Sequence, residues 1–295
     1  MSEEKINNSG LAGEGCPVLM PEEDKKTLKE IERSIIKKYR KQVWSPFIKA
    51  IKEYNLVEEG DKIAIAISGG KDSLLLAKLF QELQRHGRVK FELEFIAMDP
   101  GYHPNIKELL IENCEHLGIP VHIYESRIFD IVDNIAQDYP CYMCAKMRRG
   151  SLYDKAQSLG CNKLALGHHF NDVIETTIMN LFYAGTVKTM LPKLKSKNFE
   201  NMELIRPMYL IREKAIESFT KNAGIWPLNC ACMVAAKRTS NMRYEIKEMI
   251  EGMSVDTKVI EKSIFRALHN INLDASIGWV EDGERHSYLD KYDEE

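Results

Sequence analysis

The feature that most constrains this chain is Ser68-Gly69-Gly70-Lys71-Asp72-Ser73, set between an apolar run, Ile63 to Ile67, and an apolar helical stretch that starts at Leu74. Adjacent glycines let backbone N–H groups close on an anion, and a helix N-terminus adds a favourable dipole. Ser68 and Ser73 add hydroxyl donors and Lys71 adds a positive charge, so the segment reads as a phosphate cradle at a strand-to-helix turn. It is not the common nucleotide loop, which places four residues between its glycines and follows its lysine with Ser or Thr to hold magnesium. Here Asp72 follows Lys71, and an acid among phosphate donors makes sense where it helps hold a magnesium ion.

The same alternation continues along the chain. Phe91 to Met98, Val121 to Tyr124 and Lys163 to Leu166 read as further strands. Helices are expected at Leu74 to Arg85, Pro104 to Leu117, Ile128 to Gln137, Cys144 to Leu159 and Asp172 to Tyr183. Such alternation implies an α/β fold, a parallel sheet with helices on both faces. Ala184 to Glu203 reads as a loop before an apolar run at Leu204 and Ile205. Leu28, Ile31, Ile35 and Tyr39, then Pro46 to Tyr54, predict a helical lead-in. Glu213 to Ala223, Lys237 to Met253 and Val259 to Asn270 predict a helical C-terminal extension. The expected organisation is a disordered start over 1–20, a lead-in over 21–60, the α/β domain over 61–210, helices over 211–275 and a frayed acidic tail over 276–295.

With 44% hydrophobic and 29% charged residues among 295, the chain has the balance of a folded globular protein. It has no membrane-length apolar run and no signal-like start, so a cytoplasmic protein without a membrane partner is expected. A net charge of -3 gives no global nucleic-acid signature. RNA would need a local patch: the eight basic residues of Lys25 to Lys41, the triplet Lys146, Arg148 and Arg149, or Lys188, Lys193, Lys195 and Lys197. Each also reads as a solvated charged face.

Seven cysteines are too sparse for a disulfide scaffold. Cys114 and Cys161 read as buried apolar side chains and Cys16 stands alone, whereas Cys141-x-x-Cys144 and Cys230-x-Cys232 are spaced as metal-ligand or redox pairs. In open α/β sheets, ligands gather at the carboxyl edge. Met98 and Asp99, ending the second strand, and Gly167-His168-His169, following the fourth, belong there, with Asp172 three residues beyond His169.

Ser-Gly-Gly-Lys-Asp-Ser resembles the PP-loop of the ATP pyrophosphatases. The likeness extends through Asn55-Leu-Val-Glu-Glu-Gly-Asp61, Cys141-Tyr-Met-Cys-Ala-Lys-Met-Arg-Arg-Gly150, Gly167-His-His-Phe-Asn-Asp172, Glu175-Thr176, Asn180-Leu-Phe-Tyr-Ala-Gly185, Arg206-Pro207 and Arg212-Glu-Lys214. In that order these resemble the tRNA 2-thiocytidine synthetase family, whose fold is of the adenine nucleotide α-hydrolase type. The resemblance implies ATP, Mg2+ and a [4Fe-4S] cluster as cofactors, tRNA as substrate, a cysteine desulfurase or free sulfide as sulfur donor, and a homodimer. It implies ATP binding by Ser68 to Ser73, Met98, Gly167, His168 and Asp172, with Asp72 on magnesium. RNA would meet Lys146, Arg148, Arg149, Lys188 and Lys193.

Lys71, Asp72, Cys141, Cys144 and Cys230 would then be the catalytic set. The cluster would take Cys141, Cys144 and one later cysteine. Counting from Arg212-Glu-Lys214 favours Cys230, and counting back from Arg243 favours Cys232. Two other readings fit the residues: a PP-loop enzyme that thiolates or amidates a small molecule, and a non-catalytic nucleotide-binding protein with structural zinc.

Overall fold

The computed structural model describes residues 25–102, 104–126, 140–228, 233–253 and 256–292, with only the backbone described at 140–145, 233–241 and 291. The expected disordered start over 1–20, Cys16, the helix at Ile128 to Gln137, and both Cys230 and Cys232 lie outside these residues.

Thr27 opens helix α1 (Leu28–Ile36) with a capping box to Glu30, and the helix buries Ile31 and Ile35. A short π turn leads to α2 (Ser45–Glu53), which buries Phe47. The α/β part then runs β1 (Lys62–Ala66), α3 (Lys71–His86), β2 (Glu92–Asp99), α4 (Pro104–His116), β3 (Val121–Glu125), α5 (Pro140–Ser158), β4 (Lys163–Ala165) and α6 (Phe170–Tyr183). Next come β5 (Lys193–Lys195), β6 (Glu203–Ile205), α7 (Glu213–Ala223), α8 (Met233–Glu251) and α9 (Thr257–Ala267).

Six strands form one sheet in the order β3-β2-β1-β4-β6-β5, parallel except for β5 against β6. Alternation along β1 assigns its two faces. Ile63 and Ile65 pack in the large core with α1 to α4 and α7, while Ala64 and Ala66 pack with Tyr153 and Ala156 of α5. The sheet is therefore covered on both sides, which is why β1 is apolar at nearly every position. A third cluster joins Phe170, Ile174 and Ile178 of α6 to Ile246 and Ile250 of α8, with Phe265 of α9 against it.

Two segments differ from the sequence expectation. The loop over Ala184 to Glu203 contains β5, a short edge strand whose Leu194 pairs with Leu204. The expected frayed tail carries an antiparallel hairpin, β7 (Gly278–Glu281) with β8 (Glu284–Ser287), in which Trp279 stacks on His286 at 5.2 Å. A turn at Asp282-Gly283 with positive φ at both residues closes it, a local signal that the acidic composition obscured.

At the edge where the strands begin, Lys163 is buried and its ammonium lies 2.7 Å from Asp61, 3.4 Å from Glu58 and 3.7 Å from Glu203. Asn162 accepts from the Lys62 amide at 2.8 Å and donates to Asp61 at 2.8 Å, fastening β4 to the entry of β1. Removing one partner from a buried pair strands the other charge in a poorly solvating interior. Asp61→Ala should cost about 3 kcal/mol, near the low end for such pairs because Glu58 and Glu203 remain. Urea unfolding of the variant against wild type measures it.

Candidate functional site

Strand order decides where the site lies. The chain leaves β1 towards β2 and β3, then returns to place β4 on the other flank of β1, so connections diverge between β1 and β4. The segments leaving these two strands, Ser68 to Ser73 and Gly167 to Asp172, meet at a cavity of ≈ 300 Å³. Ser68, Asp72, Ser73, Gly167, His168 and Asp172 line it, with Met98 near the end of β2 and Tyr102 beyond it.

Helix α3 starts at Lys71, three residues before the expected Leu74, so Lys71, Asp72 and Ser73 form its first turn, where backbone N–H groups have no partner within the helix. Ser73 Oγ donates to the Gly70 carbonyl at 3.0 Å and accepts from the Ser68 amide at 3.1 Å, which folds the loop back on the helix. Gly69 has φ +78, and a Cβ there would overlap Leu228 Cδ1. At Gly167 a Cβ would stand 3.1 Å from the Asp72 carbonyl carbon and 3.2 Å from the Ser73 nitrogen. Glycine thus lets the end of β4 close on the first turn of α3.

Opposite charges alternate outward from the two cavity carboxylates, Asp72 and Asp172. Lys71 lies 3.1 Å from Asp72 and 3.2 Å from Glu213, whose other oxygen is 3.0 Å from Lys247. Arg243 is 2.9 Å from Asp172 and 4.0 Å from Glu175. His169 N-caps α6 through Asp172 and places Nε2 3.6 Å from Asp172 and 3.7 Å from Asp72.

Burial raises the Asp72 pKa, against His169 and Lys71. For Asp172 burial is outweighed by His169, His168 and Arg243, and its carboxyl stays below the usual range. Burial and neighbouring Asp172 push Glu175 up to about 7. Burial drives His168 down to about 4, and its Nδ1 is enclosed in the cavity wall without a hydrogen-bond partner among the described residues. A neutral imidazole there can accept from, or donate to, a bound group.

The cysteine-bearing helix reaches the same cavity. Cys141 and Cys144 occupy the first turn of α5, and positions 141, 144, 148 and 152 fall on one stripe of that helix. Arg148 and Leu152, further along the stripe, line the cavity. The chain before Cys230 is pinned to the anion loop, since the Leu228 amide donates to the Gly69 carbonyl at 2.9 Å. Cys114 and Cys161 are buried thiols, pushed up to about 12 and about 11 by burial, in keeping with a packing role.

Among the candidate RNA contacts, Lys146, Arg149 and Lys188 are exposed. Lys193 is not brought to the site: its ammonium lies 3.1 Å from Glu203 and 3.0 Å from the Asn55 carbonyl, at the edge where the strands begin. Sequence reasoning missed Tyr102, Arg243 and Lys247. The last two stand four apart on α8, a spacing that marks one helix face but names no partner on α6 or α7.

The PP-loop domain family matches residues 38–227. A tRNA-cytidine(32) 2-sulfurtransferase of Citrifermentans bemidjiense is 36% identical over 226 residues, 76% of this chain and 88% of the relative. One from Shewanella woodyi is 38% identical over 240 residues, 80% of this chain and 73% of the relative. The U34-tRNA thiolase NcsA from Methanococcus maripaludis, solved with its [4Fe-4S] cluster, shares the fold with a TM-score of 0.60 at 23% identity, covering 79% of this chain and 80% of that one.

The His168 shift makes a stability prediction. With a folded pKa of about 4 against an ordinary 6.5, the unfolded chain binds the extra proton between these values, so this contribution to stability is lost as pH falls from 6.5 towards 4. Urea midpoints measured across that window should fall less steeply for His168→Asn than for wild type.

Proposed function

From the chain's membership of the tRNA-cytidine(32) 2-sulfurtransferase family of PP-loop proteins, we propose that it adenylates the C2 oxygen of a tRNA cytidine and replaces that oxygen with sulfur. It is an ATP-dependent tRNA sulfurtransferase. The observation that supports the finer reading is the meeting, at one cavity, of the loop after β1 with Arg148 and Leu152 of α5, the helix whose first turn carries Cys141 and Cys144.

The α3 first turn and the loop amides would hold the ATP phosphates, with Lys71 neutralising charge as pyrophosphate departs. The cytosine C2 oxygen attacks the α phosphorus, the α–β phosphoanhydride bond breaks, and AMP becomes attached to the base through that oxygen. A sulfide then adds at C2, and the C2–O bond breaks to release AMP. Neutral His168 and ionised Asp172 would orient the base or ribose within the pocket.

The donor set fits the implied cofactors. Asp72 would hold Mg2+ together with phosphates and water, the usual arrangement for this ion. Among the described residues no group of three or more His, Cys, Asp or Glu side chains is placed to hold a metal ion. Two thiolates one helical turn apart on α5, with a third from Cys230 or Cys232, would hold a [4Fe-4S] cluster. Three thiolates would leave one iron without a protein ligand, and the chemistry such a cluster would supply is delivery of sulfide. Chain length supports the third ligand, since two residues span at most about 7 Å from Leu228, itself bonded to the loop. A sulfur donor, a homodimer and a cytoplasmic location complete the reading. Among the described residues no helix is long and apolar enough to cross a membrane.

Mass spectrometry of tRNA nucleosides should detect 2-thiocytidine in cells with this protein and lose it in cells without it; an unchanged nucleoside profile would overturn the assignment. Lys71→Ala should abolish AMP formation while anaerobically purified protein keeps its iron and sulfide. Cys141→Ala should do the reverse. Of Cys230→Ala and Cys232→Ala, one should lose iron, and retention by both would refute the three-thiolate site.

A further inference from the structure

The end of α6, the helix that begins at the cavity, and the loop after it present an apolar surface. Phe182 is 56% and Val187 64% exposed, and Leu181, Tyr183 and Leu191 are exposed with them. Such a cluster marks an interaction site more often than an accident of composition.

The segment beneath is tied down. Asn180 Nδ2 donates to the Lys188 carbonyl at 3.0 Å, the Tyr209 hydroxyl donates to the Met190 carbonyl at 2.8 Å, and Thr177 bonds Thr189 at 2.9 Å. Arg206 donates to the Leu191 carbonyl. The loop therefore keeps its polar groups inward and its apolar side chains outward, and the surface is formed in advance of any partner.

Its Leu191 end is tied to a residue that faces towards the cavity. Arg206 is buried and lies within electrostatic reach of Arg149 and of Asp172, a cavity residue. From Asn180 to Pro192 the chain carries one basic residue, Lys188, and no acid. Glu245, at the margin, accepts the Tyr183 hydroxyl at 3.1 Å. No acid within the segment itself opposes a polyanion.

An enzyme that acts on a base must take it out of its stack, and the neighbouring bases then need new faces. Exposed aromatic rings supply them without regard to sequence. We propose that Leu181, Phe182 and Tyr183, with Val187, Lys188 and Leu191, form a platform on which unpaired tRNA loop bases stack while the target cytidine enters the cavity. This rests on the tRNA reading above.

Binding of an unmodified tRNA transcript to the full-length protein, followed by fluorescence anisotropy, tests it against a duplex RNA of similar length. Phe182→Ala should weaken tRNA binding about tenfold while duplex binding, ATP affinity and melting temperature stay at wild-type values. Phe182→Trp should restore binding, because a ring is what the base requires. Unchanged tRNA affinity in both Phe182→Ala and Val187→Asp overturns the platform. So does conversion of a dimer to monomers with tRNA affinity intact, which would make the surface a contact between copies. If wild-type protein binds no tRNA, the substrate reading falls and takes the platform with it. If wild-type and variants thiolate tRNA equally, the platform alone is lost.

Discussion

The whole site depends on the parallel pairing of β1 with β4. These strands are a hundred residues apart in sequence, yet Ile63 pairs with Lys163 and Ile65 with Ala165. Their carboxyl ends therefore open on the same edge, and the segments leaving them face each other. The pairing is secured at the opposite end, where Asn162 and buried Lys163 bind Asp61. A buried ammonium costs desolvation, so this clamp fixes register more than it adds net stability. A slip of one residue would send Ala64 and Ala66 to the wrong face and part Gly167 from the first turn of α3.

The charges gathered at that edge are balanced among themselves. Lys71 is shared by Asp72 and Glu213, Glu213 by Lys71 and Lys247, and Asp172 is held by Arg243. Asp172 stays ionised where Glu175, one turn along α6, is pushed up to about 7, because Asp172 has two histidines and an arginine near it and Glu175 has mainly the outer reach of Arg243. Neighbouring carboxylates on one helix thereby hold different protonation states near neutrality. His168 stays neutral for the complementary reason, buried among Arg206, Arg243 and Arg149.

Much of this was legible in the residues. Short apolar runs alternating with helical stretches located β1, β2, β3 and β4, and Ile31, Ile35 and Tyr39 are buried as their spacing implied. The glycine-rich loop could be recognised because its chemistry is local. What could not be read were features set by partners distant in sequence. Nothing in Lys193 itself says that it turns to Glu203, and nothing in Arg243 or Lys247 names Asp172 or Glu213. The start of α3 at Lys71 escaped because Gly70 leaves no side-chain cap to mark it. The Trp279 hairpin was missed because its acidic residues outweighed a two-residue turn signal.

The backbone hydrogen bond from Leu228 to Gly69 joins the segment leading to Cys230 to the loop that would hold phosphate. Leu228 also fills the space a side chain at Gly69 would need. Two occupancies that bear on one hydrogen bond are thermodynamically conjugate: whatever free energy a ligand on one side spends in shifting it appears, equal and with the same sign, in the affinity of the other. Any shift of that amide on nucleotide loading would therefore be felt by the segment that leads to Cys230.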